Sequence, residues 1–490
     1  MRILNMQTLL SHGNVEGRKD LLDIMDTGLA ASDPYYNTRK LVRLSGTTLS
    51  IGDPDFEATG DPLSGVDVYD IRSFEHIWIV GAGKGVQRVA KALEDELGEF
   101  LTGGHLICKY GDPVIMQRVG VTAGRHPTPD ANCEVGSRKI LEIAEKVTEK
   151  DLVFTIITNG GSSLMTLPVP GVSLEEVAEL TQLMQIELGV PTRLLNRIRN
   201  HLDQLKGGKL ARLFSKARLV NIAGADLNHA DDTKPRDFAY FVENNCWLHN
   251  MPESSTFADA CAVMDRYNAW DRCPASIREV LRAADPAYES VRYEEYKTYR
   301  QRMFGVTPEK KSFYKIACER ARELGYTPYL LADSTTIEAK CVGQFLGSMA
   351  KCIESGEATI KAPAALVLTG EMIVTVGKSR EVGGRNQECA LALASRIAGS
   401  ERILGAAADT DGTDGPGGFA QEGAPTCLSG GIVDGCTAGE LAQKGIDIHQ
   451  ALNTHATTAA LYNTDNAIHA EQGISVNDLV VVLVRAEKER

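Results

Sequence analysis

The sequence lacks any long hydrophobic run: no stretch of about 18 apolar residues, the length that crosses a bilayer, occurs among its 490 residues. Its first segment, MRILNMQTLLSHGNVEGRKD, has no apolar core of the kind that a signal peptide needs. Positive charge is scarce, because 52 Lys and Arg face 65 Asp and Glu and leave a formal net charge of −13. A general nucleic-acid or anionic-membrane partner is therefore not expected. We predict a cytoplasmic protein that holds any anionic ligand by local positive charge.

Sequence patterns typical of zinc sites and of disulfide frameworks are missing as well. The eleven cysteines, spread from Cys108 to Cys436, form no C-x-x-C pair and lack the histidine spacing of zinc sites. We expect small buried thiols in a reducing compartment and no structural zinc. There is no internal repeat and no low-complexity tract. The length predicts two large domains or three small ones.

What the sequence has instead is a series of short β-branched runs that end in Gly or Asp and precede helical patterns. The clearest are HIWIVGAGKG (76–85), DLVFTIITNGGSSLM (151–165), ARLVNIAGADLNHADD (217–232), AALVLTGE (364–371), RILGAAADTDGTDG (402–415) and DLVVVLV (478–484). Such alternation predicts buried parallel sheets with helices on both faces, and ligands beyond the carboxyl ends of the strands. Residues 246–312 differ in composition and indicate a helical insertion, or helices that bridge two α/β domains.

The first glycine turn, GAGKG, contains Gly81, Gly83 and Lys84 between a predicted strand and a predicted helix. Its backbone N–H groups could cradle phosphate, and Lys84 could neutralise a transferred phosphoryl group or simply be solvated. Val86 stands where the third glycine of a dinucleotide fingerprint belongs, and no Walker A frame fits. The turn therefore favours phosphate over NAD(P)H.

The second glycine turn, TNGGSSLM, repeats this design after the next strand. Gly160 and Gly161 let a ligand approach the backbone closely. Ser162 and Ser163 either bind phosphate or cap the following helix.

Local positive charge is concentrated in RIRNHLDQLKGGKLARLF, around a pair of glycines. Arg199, Lys206 and Lys209 either bind an anion or form a solvated helix face, and His201 is either part of that site or a satisfied core residue. The rigid turn GRHPTPD displays Arg125 and His126 as a connector or as a wall of the site.

Two features near the C-terminus complete the candidate site. AAADTDGTDG places Asp409, Asp411 and Asp414 at the end of an apolar strand, which suits Mg²⁺, a proton acceptor or only a turn. In GKSREVGGRNQE, Arg385 lies at or just before the start of a long amphipathic helix, where Asn386 or Gln387 could cap. A cation there repels the helix dipole, so we expect Arg385 to help hold a phosphate or carboxylate.

Taken in order, VGAGKG, GRHPTPD, TNGGSSLM, RIRNHLDQLKGGKLA, LTGE, GGRNQECAL and DTDGTDG resemble the glycerate 2-kinase family, whose C-terminal domain is called MOFRL. The resemblance runs from about residue 17 to 485, and GGRNQE with DTDGTDG is its most specific part. It implies a larger Rossmann-like α/β/α domain with a parallel sheet, which we bound at 1–312, and a smaller α/β MOFRL domain at 313–490.

The resemblance also implies ATP-dependent, Mg²⁺-requiring phosphoryl transfer to the 2-hydroxyl of D-glycerate, in a cleft between the domains. By motif match, Lys84 and Arg385 would be the catalytic residues, from opposite domains. The other candidates are Gly81, Gly83, Gly160, Gly161, Ser162 and Ser163 for nucleotide phosphates, His126, Arg199 and Lys206 for substrate, and Asp226, Asp409 and Asp411 for metal.

Several family motifs are rewritten in this chain. Asn159 replaces a glycine of SGGGSA, and SDVxGD with IASGPT becomes AGADLNHADD followed by no recognisable counterpart, which leaves Asp226 alone. TGPTGTNVND becomes AEQGISVND, which keeps Asn477 and Asp478. Three functions stay open: a kinase for D-glycerate or a related sugar acid, a non-catalytic nucleotide or sugar-acid binding homologue, and an NAD(P)H-dependent hydroxypyruvate or tartronate-semialdehyde reductase. The expected partners are a hydroxy acid and a nucleotide, with a homo-oligomer left open.

Overall fold

The computed structural model describes residues 2–126, 128–225, 227, 237–308, 312–471, 473 and 477–487. It confirms an α/β chain with two compact units. We call Pro34–Glu309 the central unit, and Met1–Asp33 together with Lys310–Arg490 the terminal unit. Each unit contains a six-stranded sheet among its described residues.

The strands are, in chain order, β1 (Val42–Ser45), β2 (Thr48–Ile51), β3 (Asp67–Asp70), β4 (Ile77–Ala82), β5 (Gly103–Lys109), β6 (Gly120–Gly124), β7 (Leu152–Ile157), β8 (Arg218–Ala223), β9 (Gln301–Gly305), β10 (Thr327–Thr335), β11 (Ala364–Gly370), β12 (Ile403–Asp409), β13 (Gly430–Asp434), β14 (Ala467–Ile468) and β15 (Asp478–Val484).

The α-helices are α1 (Met6–Leu9), α2 (Val15–Ala31), α3 (Pro34–Leu41), α4 (Val86–Leu97), α5 (Ala131–Ala144), α6 (Gly161–Leu164), α7 (Leu174–Thr181), α8 (Thr192–His201), α9 (Lys209–Leu213), α10 (Phe238–Asn244), α11 (Phe257–Arg266), α12 (Ala275–Ala283), α13 (Tyr293–Tyr296), α14 (Phe313–Glu323), α15 (Ala339–Glu354), α16 (Arg385–Ile397), α17 (Thr437–Gln443), α18 (Ile448–Thr454) and α19 (Thr457–Tyr462). Short 3₁₀ turns occur at Pro54–Phe56, Ile71–Ser73, Gly98–Phe100 and Pro286–Tyr288, and a π turn at Gln182–Glu187.

The central sheet has the order β6-β5-β4-β7-β8-β9, and each neighbouring pair is parallel. The chain builds outward from β4 to β6 and then continues on the other side with β7, β8 and β9. The strand order therefore reverses between β4 and β7, which is where open parallel sheets bind ligands. The predicted parallel sheet is confirmed for this unit. A separate antiparallel sheet is formed by β1, β2 and β3.

The helical part of the central unit differs from the predicted 246–312 segment. That segment contains α11, α12 and α13, but it ends in β9 of the central sheet. The apolar faces of α11 and α12 pack with α7 and α8 in one cluster, which includes Val177, Leu195, Phe257 and Ile277. The helical layer therefore also uses residues from 169 to 202, because the helices bury their apolar faces against each other.

The terminal sheet has the order β10-β11-β15-β12-β13-β14 and is mixed. Only β10 and β11 are parallel; β15 runs antiparallel to both β11 and β12, and β13 runs antiparallel to β12 and β14. The expectation of parallel pairing is confirmed for β10 with β11 and was wrong for the other pairs of this sheet. Their runs are apolar throughout because α2 and α14 cover one face and α15 and α16 the other. Burial on two faces does not specify strand direction.

The first 33 residues group with the terminal unit, whereas the sequence placed them in a domain spanning 1–312. Helix α2 packs its buried Leu21, Leu22 and Met25 in the same cluster as α14 and the terminal sheet. Its Arg18 is fully buried, with Nε donating to Asp434 Oδ2 at 2.7 Å. This placement depends on contacts between segments that are far apart along the chain, up to 416 residues for Arg18 and Asp434, and the sequence has no local signal for them.

Cysteine burial varies more than the sequence suggested. All eleven cysteines are free thiols. Cys108, Cys133, Cys273 and Cys389 are buried, but Cys341 and Cys436 are exposed. Within the described ranges, we find no helix with the length and apolar character that a bilayer crossing requires.

Candidate active site

Two glycine turns meet at the switch point of the central sheet. The turn after β4 carries Lys84, and the turn after β7 carries Asn159 and Gly160. The backbone N–H of Lys84 donates to the Asn159 carbonyl at 2.7 Å, and Thr158 Oγ1 donates to the Lys84 carbonyl at 2.8 Å. These bonds fix the two turns against each other, so the Lys84 side chain starts from a rigid position.

The glycines of these turns have different roles. Gly83 has φ +135°, and a Cβ there would lie 2.1 Å from Thr158 Oγ1, so the close approach of the turns requires glycine. Gly160 has φ +81°, and a Cβ there would lie 2.9 Å from the His126 ring. Gly81 lies inside β4, where a Cβ would lie 2.3 Å from the Ile156 carbonyl oxygen. The need for glycine at Gly81 is thus explained by sheet packing.

Lys84 and His126 both lie close to the Cβ position of Gly160. A Cβ at Gly160 would lie 3.6 Å from Lys84 Cγ as well as 2.9 Å from the His126 ring. Burial, followed by the charges of Lys84 and Lys109, lowers the pKa of His126. Among the described residues, no carboxylate lies within 4 Å of the Lys84 ammonium. We call Lys84, His126 and Gly160 the glycine-turn site.

The two serines lie in the first turn of α6, which begins at Gly161 after Gly160 at the N-cap. The predicted capping by a serine side chain is therefore not made. Ser162 is partly exposed, and its hydroxyl donates to the Trp247 carbonyl at 3.4 Å. Ser163 is buried. Ser162 is therefore the more accessible of the two residues.

Arg199 and Lys206 both contact the segment around α6. Arg199 at the end of α8 donates from Nη2 to the Ser162 carbonyl at 3.1 Å, and its Nε has no hydrogen-bond partner among the described residues. Lys206 is buried, and its Nζ donates to Asp203 Oδ2 at 2.7 Å and to Thr166 Oγ1 at 2.8 Å. Burial lowers the pKa of Lys206 to about 8, opposed by Asp203 and assisted by Arg199.

Two residues of the basic segment are satisfied structurally. His201 is buried, with Nδ1 bonded to the Arg197 carbonyl and Nε2 2.7 Å from Glu289 Oε1. Lys209 Nζ donates to the Asn200 carbonyl at 2.6 Å and to the Tyr288 carbonyl at 3.0 Å. The core role of His201 supports the plainer of its two interpretations, whereas Lys209 is buried and does not lie on the solvated helix face that the sequence left open for it.

His249 was missed by sequence reasoning. It lies in the CWLHN segment, is 1% exposed, and neither ring nitrogen has a hydrogen-bond partner among the described residues. Burial, then the charges of Lys206, Arg199 and Lys209, lowers its pKa well below the usual value. We call Arg199, Lys206 and His249 the basic cluster. The sequence offered no signal for His249, because a lone histidine in a loop has no motif around it.

In the terminal unit, Arg385 is the first residue of α16, as the sequence predicted. Its Nε donates to Asp478 Oδ1 at 2.6 Å, and its Nη2 donates to Asp409 Oδ2 at 2.7 Å. Asp409 ends β12 and Asp478 begins β15, and the two residues pair across the sheet. Burial lowers the pKa of Arg385, but Asp478 and Asp409 outweigh it and raise the pKa. The guanidinium therefore remains charged.

Asp414 caps α16, rather than Asn386 or Gln387 as the sequence suggested. Its Oδ1 accepts from the Asn386 N–H at 3.1 Å, and its Oδ2 accepts from the Gln387 N–H at 2.9 Å. The first-turn amides that attract an anion are thus bonded to a carboxylate. Burial raises the pKa of Asp414 to about 6. We call Arg385, Asp409, Asp414 and Asp478 the carboxylate cluster.

Two of the three candidate metal ligands can be located, and Asp226 lies outside the described residues. Asp409 accepts from Arg385 through Oδ2 and from the Asp411 N–H through Oδ1. Asp411 Oδ1 accepts from the Thr413 N–H and hydroxyl, each at 2.8 Å. Burial, then the Asp411 charge, raises the pKa of Asp409 despite Arg385. Two carboxylates fit a Mg²⁺ ion that also keeps phosphate and water ligands. A protein-only cage is not formed by the residues that the structure describes.

Comparison with known proteins identifies relatives of the whole chain. Residues 20–234 match the model of DUF4147, a domain of unknown function, and residues 364–478 match the MOFRL family. The glycerate 2-kinase of Pyrococcus horikoshii is 29% identical over 96% of this chain and 98% of its own. The D-glycerate 2-kinase of Thermotoga maritima is 32% identical over 84% of this chain and 91% of its own.

A solved structure and a differently named relative complete this comparison. The crystal structure of Thermotoga maritima glycerate kinase superposes with a TM-score of 0.70, at 28% identity over 96% of this chain and 100% of that chain. An Agrobacterium vitis protein, provisionally named a hydroxypyruvate reductase, is 28% identical over 83% of this chain and 86% of its own.

Proposed function

The chain belongs to the glycerate 2-kinase family, and on that premise we propose that it transfers the γ-phosphoryl group of ATP to the 2-hydroxyl of D-glycerate or of a related sugar acid. The observation that carries the proposal is the glycine-turn site. An ammonium without an ion-pair partner among the described residues lies beside a glycine backbone at the switch point of a parallel sheet. That arrangement suits a phosphoryl group in transfer.

Lys84 is the proposed catalytic lysine. Phosphoryl transfer needs positioning and charge neutralisation more than covalent help from the protein. The two backbone bonds between the turns fix the start of the Lys84 side chain. Its ammonium would neutralise the charge on the equatorial oxygens as the bond to the acceptor oxygen forms and the bond to ADP breaks.

Arg385 is the proposed catalytic arginine, and its surroundings limit how it acts. Asp409 and Asp478 accept short bonds from two of its nitrogens, whereas the third, Nη1, donates to the exposed Glu371 over a longer distance of 3.4 Å. Since this bond is the longest of the three, Nη1 is the nitrogen that a ligand would take over most easily. A bare phosphate would meet the repulsion of several carboxylates there. Arg385 therefore suits a phosphate whose charge is already reduced by a cation.

Asp409 and Asp411 are the residues that would hold Mg²⁺, together with phosphate oxygens and water. When bound, the ion would reduce the charge on the transferred phosphate. Both side chains offer only carboxylate oxygens, which are the ligands that Mg²⁺ prefers, and this supports the assignment.

The acceptor is assigned to the basic cluster. Arg199 keeps an unpaired Nε, and Lys206 contributes a buried charge beside a single carboxylate, Asp203. Such an excess of positive charge attracts a hydroxy-acid carboxylate. His126, held neutral by its lowered pKa, would contact the attacked hydroxyl from the Lys84 side.

The direct test is acceptor-dependent ADP release with ATP, Mg²⁺ and a panel of C3 to C6 hydroxy acids, followed by ³¹P NMR of the product. We expect release with D-glycerate and a phosphate on its 2-oxygen. Release only with a longer acid would assign another acceptor, whereas ATP binding without release would favour a non-catalytic homologue.

The competing reductase function is suggested by the name of the Agrobacterium vitis relative. Val86, which occupies the third glycine position of the dinucleotide fingerprint, is fully buried as the first residue of α4. We expect no oxidation of NADH or NADPH with hydroxypyruvate. Turnover in that assay, without ADP release in the first, would overturn the kinase proposal.

A further inference from the structure

His249 contradicts the usual rule that buried polar groups find partners. Its ring is 1% exposed, yet Nδ1 and Nε2 are both without hydrogen-bond partners among the described residues. The Gly161 backbone lies near the ring and is the smallest influence on its pKa, but its position does not meet the geometry of a hydrogen bond. His201, equally buried in the same unit, uses both of its nitrogens. Leaving such a group unsatisfied is unfavourable, and a ligand that bonds to it recovers that loss.

The segment that carries His249 is held rigidly. Asn245 Nδ2 donates to the Leu248 and Pro252 carbonyls, each at 2.9 Å, and its Oδ1 accepts from the Leu248 N–H at 2.9 Å. Asn250 Nδ2 donates to Thr155 Oγ1 on β7 at 3.0 Å. The two ring nitrogens of His249 are therefore held in place beside the switch point. The loop cannot easily change its conformation to expose them to solvent.

The surroundings of His249 specify the chemistry of a ligand. Arg199 and Lys206 supply two positive charges, against the carboxylate of Asp203. Arg199, Ser162 and Trp247 keep partial exposure, so the cluster reaches the surface. A neutral imidazole has one N–H donor and one acceptor nitrogen. A hydroxyl, which both donates and accepts, matches it, and a carboxylate matches the surplus positive charge.

We propose that His249 is a specificity residue that hydrogen-bonds a second hydroxyl of the acceptor, distinct from the one that is phosphorylated, while Arg199 binds the carboxylate. The site would then select hydroxy acids with at least two hydroxyls over simple α-hydroxy acids. A site built to bond a hydroxyl rejects the analogue without it, because its own buried groups stay unpaired. This inference rests on the proposed function, since it concerns the acceptor of that reaction.

The test compares D-glycerate with D-lactate, which lacks the second hydroxyl. We expect the wild-type protein to bind D-glycerate at least about tenfold more tightly by titration calorimetry, and to show a similar ratio of kcat/KM. His249→Phe keeps a ring but removes both nitrogens, so it should reduce the ratio to nearly one through the KM for D-glycerate, with the KM for ATP unchanged.

The matched control is His105→Phe. His105 is also a buried histidine of the central unit, but its Nε2 is already bonded to Thr122 Oγ1 at 2.8 Å. Its replacement should leave the D-glycerate to D-lactate ratio unchanged. An equal change in both variants would mean that His249 acts only through folding, and would overturn the inference.

A second measurement uses the unmodified protein, in case His249→Phe fails to fold. The ¹⁵N resonances of the His249 ring should move on addition of D-glycerate and stay fixed with D-lactate. Binding of both acids with equal affinity and no ring shift would overturn the inference while leaving the kinase proposal intact. Absence of binding and turnover with every acid would overturn both.

Discussion

The basic cluster of the central unit and the carboxylate cluster of the terminal unit are built from opposite charges. In the first, Arg199 and Lys206 surround one carboxylate, Asp203. In the second, Asp409, Asp414 and Asp478 surround one guanidinium, that of Arg385. In each cluster the single group of opposite sign is already hydrogen-bonded within the cluster. The sign of the remaining charges therefore determines which ligand the cluster attracts.

This difference separates two tasks of a kinase. Surplus positive charge at the switch point suits anions directly, as a hydroxy acid or a phosphate requires. Surplus negative charge around Arg385 suits a cation, or an anion that arrives with a cation. An arginine in the carboxylate cluster is consequently a poor anion site alone and a suitable one when Mg²⁺ is present. Four predictions test this comparison.

The largest effect is expected for Lys84→Ala. Without the ammonium, the charge that develops on the transferred phosphoryl group is not neutralised, and kcat should fall by about 10³-fold. The measurement is ADP release with saturating ATP and D-glycerate. Lys91→Ala on α4 is the control, since Lys91 pairs with Asp95 at 2.6 Å and should not contribute. If the Lys84 variant kept the wild-type rate, the glycine-turn site would have no role in catalysis.

The next effect is expected for Arg385→Ala, with a fall in kcat of about 10² to 10³-fold. Since the variant leaves Asp409 and Asp478 without their cation, its remaining activity should require more Mg²⁺ than the wild-type protein does. Arg385→Lys keeps the charge but cannot bridge both carboxylates, and it should recover only part of the rate. If the alanine variant matched the wild-type protein at every Mg²⁺ concentration, the carboxylate cluster would be structural only.

A smaller effect, about tenfold, is expected from pH on the basic cluster. Because burial lowers the pKa of Lys206 to about 8, its charge is lost above that pH, and the KM for the acceptor should rise between about pH 7.5 and 9.5. The unfolded lysine keeps its proton up to its ordinary pKa of 10.5. The folded protein thus binds fewer protons between about pH 8 and 10.5, and its stability should increase with pH over that window.

The control for this pH effect removes the buried ion pair. A Lys206→Met, Asp203→Asn double variant has neither charge, so its acceptor KM should be high and nearly flat across the same pH range. A wild-type profile that is equally flat would contradict a role of the Lys206 charge in binding.

The sequence predicted those parts of the site that follow local patterns. An apolar run ending in Gly or Asp indicates where a strand stops, and this located the turns at Lys84 and Gly160. The amphipathic period after Arg385 located the start of α16. Motif resemblance then assigned roles that the patterns alone left open.

What the sequence could not predict depends on pairing between distant segments. Antiparallel pairing of β15 with β12 places Asp478 opposite Asp409. The apolar sequence of neither strand indicates in which direction the strand runs in the sheet. Asp414 caps α16 from a loop 28 residues away from Asn386. His249 is unsatisfied only because of what surrounds it in three dimensions. Each of these features depends on a contact between residues that are distant in sequence. Amino-acid composition and hydrophobic periodicity do not predict such contacts.

The smallest expected effect is on the stability of the folded protein. It compares two aspartates of the terminal unit that cap helices, one buried and one exposed. Asp414→Ala removes the bonds to the first-turn amides of α16 and should lower the free energy of unfolding by about 1–2 kcal/mol. Since burial raises the pKa of Asp414 to about 6, above its ordinary 3.8, the stability of the wild-type protein relative to Asp414→Asn should fall as pH rises from about 4 to 6.

Asp447, the exposed cap of α18, is the matched control for this pH dependence. Bonds from the Gln450 and His449 N–H groups lower its pKa, so stability relative to Asp447→Asn should rise with pH as the carboxylate ionises. Denaturant unfolding at pH 4, 5 and 7 would measure both differences. Opposite slopes are expected because one carboxylate is buried among like charges and the other is solvated. The same slope for both would show that burial in the carboxylate cluster does not govern Asp414.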